Sequence, residues 1–255
     1  MLINLLLRTV ERCPDKKFYL FSYEEDKESI LLKTLNTYIN LPLSQKNRRS
    51  INSYYSEGID IYFTGGPEKF HAGRKMFFDE LINTQRVNIN YVNYSSETLI
   101  GAIEYLSKQN NTGGIFIDYM QLLSKGEGKY NSRQEELKQI CIDLKDSAVE
   151  TGLPIILGAQ FNREVTNHLL IHPTKIGEAG DIERIANLIV GLWNNTFDPI
   201  GQAGDLTEID SRNIRQPNTI YAKILKNRDS IANIDGLLDW NGNTGKISNR
   251  DRAEF

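Results

Sequence analysis

The sequence predicts an α/β protein built on a mostly parallel sheet with helices on both faces. Three observations carry this. The segments FYLFSY (18–23), GIFIDYM (114–120), PIILGAQ (154–160) and LIVGLWN (188–194) are short and almost wholly apolar, as strands buried on both sides are. Helix-periodic segments alternate with them, and parallel strands need such crossovers. TIYAKILKNR (219–228) and DGLLDWNGNTGKIS (235–248) read as antiparallel strands, which predicts a C-terminal antiparallel hairpin.

The elements follow in order. MLINLLLRTVER places Leu2, Leu5, Leu6 and Val10 on one helical face, and Pro14 fits the stop. FYLFSY ends in the acids Glu24, Glu25 and Asp26, and residues 27–40 read as a helix. SQKNRRS (44–50) is polar and basic, as loops are. A helix over 67–84 offers Phe70, Phe77, Phe78, Leu81 and Ile82 as its apolar face. VNINYVN (87–93) reads as a strand. SSETLIGAIEYLSKQ (95–109) reads as a helix capped by Ser95 or Ser96. SKGEGKYN (124–131) is a Gly-containing polar loop. Residues 132–152 form a strong helix, with Leu137, Ile140, Cys141, Leu144 and Ala148 at helical spacing and Gly152 as its stop. Residues 196–218 have little periodicity and read as a surface excursion.

The chain has 255 residues, 40% of them hydrophobic and 25% charged, the balance of a globular domain. We expect one domain, 1–255. The formal net charge is −3, which excludes a global basic field, so any nucleic-acid contact has to be local. Two cysteines, Cys13 and Cys141, are too few for a disulfide framework and predict a reducing cytoplasm. No apolar run approaches the ~18 residues of a membrane span. The N-terminus is not a secretion signal, because its charges follow the apolar block and no small-residue cleavage site is present.

In open α/β sheets ligands sit at the carboxyl ends of the strands. Three predicted strands end there in polar groups: Glu24 after the first, Asp118 after GIFI, and Gln160 after PIILGA, followed by Asn162 and Arg163. A carboxylate at the end of an apolar strand needs a partner, and a hydrated Mg²⁺ is one. A second carboxylate can serve an attacking water as base, and an amide can bond a terminal phosphate oxygen. Singly, each residue has a plainer role. A strand-end Asp often serves a turn, Glu24 sits in an acidic run, and an amide often satisfies backbone groups.

Taken together and in order, these segments resemble the RecA-like ATPase domain of DnaB-family replicative helicases. The resemblance runs from residue 1 to about residue 248. FSYEE is similar to the family's strand ending in S-x-E, and IDYMQLL to its Walker B motif. NSRQEELKQICIDLKDSAVETGLPIILGAQFNREV is similar to the next helix, strand and sensor motif. IGEAGDIERIANLIVGLW resembles the DNA-loop motif, and AKILKNR the hairpin that carries K-x-R. The resemblance implies a RecA-like P-loop NTPase fold, ATP and Mg²⁺ as cofactors, and a homo-hexameric ring around single-stranded DNA, moving 5′ to 3′. A primase or helicase loader is an implied partner.

It also implies roles. Glu24 would orient or deprotonate the hydrolytic water, Asp118 would hold Mg²⁺, and Gln160 would sense the γ-phosphate within a motif that includes Asn162 and Arg163. Lys226 and Arg228 would reach the ATP of a neighbouring subunit, Arg228 as an arginine finger. Glu178, Ala179 and Gly180 would line the DNA channel, with SKGEGKYN as a second candidate for its wall. Gly177 stands where the family has Arg, Ile185 and Asn187 replace acids, and DSIAN replaces a Gly/Pro-rich turn.

No G-x-x-x-x-G-K-[ST] occurs in residues 1–255. In the family that loop precedes the first helix, so the resemblance implies a motor domain truncated at its N-terminus. A missing central strand would leave unpaired edges on its two neighbours. A fragment, a split gene and a natural P-loop-less protein that binds DNA or a helicase without hydrolysing ATP all remain open. So does another RecA-like ATPase, such as a recombinase.

Overall fold

In the computed structural model the described residues are 1–40, 67–126, 130–177, 182–194 and 218–250. Helix α1 (Leu2–Arg12) leads into β1 (Lys17–Ser22) and α2 (Lys27–Ile39). Helix α3 (Pro67–Phe77) widens into a π-helical turn, Phe78–Ile82, before β2 (Val87–Tyr91) and α4 (Ser96–Ser107). Then come β3 (Thr112–Asp118), α5 (Arg133–Thr151) and β4 (Ile155–Leu157). A short α6 (Ile182–Ile185) precedes β5 (Leu188–Asn194), β6 (Thr219–Asn227), β7 (Asp235–Asn241) and β8 (Lys246–Asn249).

The four N-terminal strands form a parallel sheet in the order β2-β1-β3-β4, whereas the apolar segment LIVGLWN, expected in it, pairs antiparallel with β6 as β5 of a second sheet. Side-chain alternation splits its core into two layers. Tyr19, Phe21, Ile115 and Ile117 face a cluster with Leu99 and Ile103 of α4 and Leu137, Ile140 and Leu144 of α5. Phe18, Leu20 and Phe116 face the other way, onto Leu6, Leu7 and Val10 of α1, Ile30 and Leu35 of α2, and Phe70 and Phe77 of α3. Full burial of a side chain such as Phe116 or Leu20 is worth about 1.5–3 kcal/mol.

The antiparallel part is larger than a hairpin. β5-β6-β7-β8 make a second four-stranded sheet, because the segment read as one strand over 235–248 turns at Asn241–Gly245. Gly245 takes φ +73 in that turn, a conformation glycine adopts without strain. β4 and β5 are edge strands of their sheets, yet Ile155 and Leu157 pack on the same core as Ile189. β4 is three residues of Ile and Leu, and all three are only half-buried.

Other boundaries shift for local reasons. Leu6, Leu7 and Val10 are the buried face of α1, whereas Leu5 is 42% exposed, because the helix turns Leu7 onto the sheet instead. The helix expected over 67–84 ends its regular part at Phe77, and Asn83 N donates to Phe78 O at 2.8 Å, an i→i−5 bond. Ser95 and Gly152 are the cap and stop the sequence predicts, and Ser132, read as the first helical residue, is a cap as well. Ser95 accepts from Thr98 N and Ser132 from Glu135 N, while Gly152 ends α5 at φ +70. The expected loop 44–50 and residues 196–217 of the excursion lie outside the described residues.

Candidate functional site

β1 and β3 end level with one another, because their register pairs Ser22 with Asp118. Tyr23 N donates to Asp118 O at 2.8 Å and carries the alignment one residue further. The turn that follows assigns the three acids separately. Ser22 Oγ donates to Glu25 O at 3.0 Å and accepts from Glu25 N at 3.2 Å, which fixes the turn. Glu25 pairs with Lys33. Asp26 caps α2, accepting from Ser29 N and Ser29 Oγ at 3.0 and 2.7 Å. Glu24 is exposed and makes no hydrogen bond or ion pair among the described residues. The local sequence therefore employs its neighbours structurally and leaves Glu24 available beside Asp118.

Asp118 is held above the usual carboxylate range, first by burial and next by the Glu24 carboxylate. The start of α1 reaches the same sheet edge, where Leu2 and Asp118 both close on Gly158. No side chain caps that helix end. Gly158, just past β4, sits close beside the acid: a β-carbon there would lie 3.0 Å from Leu2 Cδ1 and 3.4 Å from Asp118 Oδ1. The site thus brings together the carboxylates of Glu24 and Asp118, the start of α1, and a glycine packed closely against Asp118.

Gln160 lies beyond β4 on the same edge and is exposed. Its backbone is held from two sides. Gln160 N donates to Gln121 Oε1 at 3.2 Å, and Gln160 O accepts from Gln121 Nε2 at 2.9 Å and Gly177 N at 2.8 Å. Asn162 Oδ1 accepts from Glu164 N at 3.2 Å and shapes the following turn. Arg163 is exposed. Gln121 went unassigned in the sequence, although it lies inside the IDYMQLL segment, three residues after Asp118.

Lys226 and Arg228 sit elsewhere. They donate to carbonyl oxygens of α6, Lys226 to Glu183 and Arg184, Arg228 to Arg184 at 3.1 Å. They make no hydrogen bond or ion pair with Glu24, Asp118 or Gln160. Glu178, Ala179 and Gly180 lie outside the described residues, as do 127–129 of the SKGEGKYN loop.

Among the described residues no group of three or more His, Cys, Asp or Glu could hold a metal ion unaided. The donors suit a different arrangement, a hydrated Mg²⁺ that takes one carboxylate and completes its shell with water and phosphate oxygens. A cation there would also relieve the repulsion between Asp118 and Glu24. Both cysteines are free thiols, and no described helix is long and apolar enough to cross a membrane.

The profile of the DnaB-like helicase C terminal domain matches residues 1–244. The chain belongs to this family. Replicative DNA helicase DnaB of Helicobacter pylori (strain J99) is 24% identical over 270 residues, covering 100% of this chain and 51% of that protein. Replicative DNA helicase DnaB of Mycoplasma pneumoniae is 34% identical over 123 residues, 44% of this chain and 26% of that protein. The chain therefore spans about half the length of the relative it matches end to end. Among solved structures, one described as an ATPase domain superposes with TM-score 0.72 at 19% identity, over 98% of this chain and 81% of that one. A DnaB-like replicative helicase, described with its interactions with primase, superposes with TM-score 0.70 at 21% identity, over 93% of this chain and 53% of that one. The fold is that of the family's RecA-like ATPase domains.

Proposed function

We propose that this chain is the ATP-driven motor of a replicative DNA helicase, hydrolysing MgATP at subunit interfaces of a ring that encloses single-stranded DNA. The observation that carries the reading is the level ending of β1 and β3, which sets Glu24 beside a half-buried Asp118 at the ligand-binding edge of the sheet. Family membership supports it.

In this reading Asp118 holds Mg²⁺, which when bound neutralises charge on the phosphates of ATP. Glu24 orients the attacking water and accepts its proton. The start of α1 faces the phosphates with its positive end. Gln160 bonds the γ-phosphate and responds to its loss. Arg228 and Lys226 leave α6 to reach the nucleotide of the adjacent subunit. A primase or loader is the partner class, and the compartment is the cytoplasm.

The reading needs a phosphate-binding loop that residues 1–255 do not contain. The test joins a strand and a G-x-x-x-x-G-K-[ST] loop to Met1 and measures ATP turnover with single-stranded DNA present. Turnover that falls by about 10²–10⁴-fold in Glu24→Gln, the range of a lost general base, supports the assignment. Undiminished turnover in both Glu24→Gln and Asp118→Asn refutes it. DNA or helicase binding without any turnover would leave a binding subunit.

A further inference from the structure

We propose that Gln121 is a positioning residue that locks the Gln160 strand end and Gly177 into one unit, so that a change at the strand-end acids is passed to the segment after Gly177. The inference rests on the motor reading above and deepens it.

The observation is one side chain with three bonds to two separate segments. Gln121 Oε1 accepts from Gln160 N at 3.2 Å, and its Nε2 donates to Gln160 O at 2.9 Å and Gly177 O at 3.2 Å. A neutral amide is the one uncharged side-chain head that both donates twice and accepts. The two segments it joins are already paired like a short antiparallel ribbon. Gly177 N donates to Gln160 O at 2.8 Å, Phe161 bridges Ile176, and Asn162 N donates to Lys175 O at 2.8 Å.

Gln121 is equally tied to the acid. It follows Asp118 by three residues, and Met120 N donates to Gly158 O at 2.9 Å while Gly158 N donates to Ile117 O at 2.9 Å. Its own backbone is anchored from α5, where Arg133 Nη2 donates to Gln121 O at 2.9 Å and Leu123 O at 2.5 Å. The segment from Asp118 to Gln121 can therefore shift only with Gln160 and Gly177. Gly177 directly precedes residues 178–180, the stretch the motor reading gives to DNA.

The test uses the chain completed at Met1 by the strand and phosphate-binding loop described above, with fluorescent dT20 as the DNA probe and MgAMPPNP as the nucleotide probe. Binding of dT20 is titrated with and without saturating nucleotide for the unsubstituted protein, Gln121→Ala and Gln121→Glu. The glutamate keeps the acceptor for Gln160 N and loses both donors. The expected result is a nucleotide-dependent change in dT20 affinity of about 5-fold or more in the unsubstituted protein. It falls to near unity in both variants, while each ligand alone binds as before and melting temperatures stay close. Those unchanged single-ligand affinities distinguish loss of coupling from loss of fold. A coupling ratio preserved in the variants overturns the role of Gln121. Absence of nucleotide or DNA binding by the unsubstituted, loop-completed chain sinks the motor reading, and this inference with it.

Discussion

Lys226 and Arg228 share one acceptor, the carbonyl oxygen of Arg184, at 3.4 and 3.1 Å. They stand two residues apart at the end of β6, so their side chains leave on one side. Their cationic heads meet the C-terminal end of α6, where helix carbonyls lack partners and the dipole favours positive charge. The two cations therefore have a structural role within one protomer. The same residues can serve a neighbour only by giving it up.

That competition is measurable. A C-terminal cap of this kind contributes about 0.3–1 kcal/mol. Arg228→Ala should lower stability by no more than that in chemical denaturation. In a ring assembled with a phosphate-binding loop, the same substitution should reduce turnover by about 10³-fold or more if Arg228 acts on an adjacent nucleotide. Matching small losses in both assays would leave Arg228 as a helix cap and nothing else.

Asp118→Asn should separate stability from function. Burial and the Glu24 carboxylate both disfavour the ionised acid, so the charge destabilises the folded chain at neutral pH. The amide removes that charge at nearly constant shape. We expect a higher melting temperature at pH 7 together with loss of any Mg²⁺-dependent nucleotide binding. A lower melting temperature would mean that Asp118 has a cation partner in the folded chain.

Gly177→Arg restores the residue type that the family pattern carries there. A β-carbon at Gly177 would lie 3.3 Å from Gln160 O and 3.6 Å from Asn162 N, so the Gln160 carbonyl must give by a few tenths of an ångström to admit a side chain. One added phosphate contact should tighten dT20 binding and steepen the salt dependence by about 0.7 in log–log slope, the increment for one phosphate on a single strand. An unchanged slope would place position 177 away from the DNA.

Much of this was legible because the determinants are local. Apolar runs fixed β1 and β3, Ser95 fixed a helix start and Gly152 a helix end, and the strand-end acids marked the ligand edge. The misreadings have tertiary causes. Leu5 and Leu7 compete for one helical face, and only the position of the sheet decides between them. β4 reads as a long strand but is three residues long and half-buried, because its pairing depends on neighbours that its own sequence does not encode. Gln121 was invisible for the same reason. Its partners lie 39 and 56 residues away, and an amide in a Walker B-like segment carries no sign of which carbonyls it will meet.

The support behind Gln121 has its own signature in pH. Glu136 accepts from Lys125 N at 2.8 Å and from Arg133 Nη1 at 2.5 Å, and so orients the arginine that anchors Gln121. Burial alone would raise the Glu136 carboxyl, but the Lys125 amide and the Arg133 guanidinium outweigh it and hold it below its ordinary 4.5. A depressed acid adds stability above its ordinary value and loses it as pH falls through the folded value. Glu136→Gln should therefore lower stability by about 1–3 kcal/mol at pH 7, since the amide keeps only one of the two acceptor oxygens and sets an N–H against the other donor. Below pH 4.5 the two proteins should converge as Glu136 itself becomes neutral. Thermal melts from pH 7 to about pH 3 read both limbs, because pH 3 lies well below the ordinary glutamate value. A gap that stays constant across that range would show that the carboxylate charge plays no part in holding Arg133.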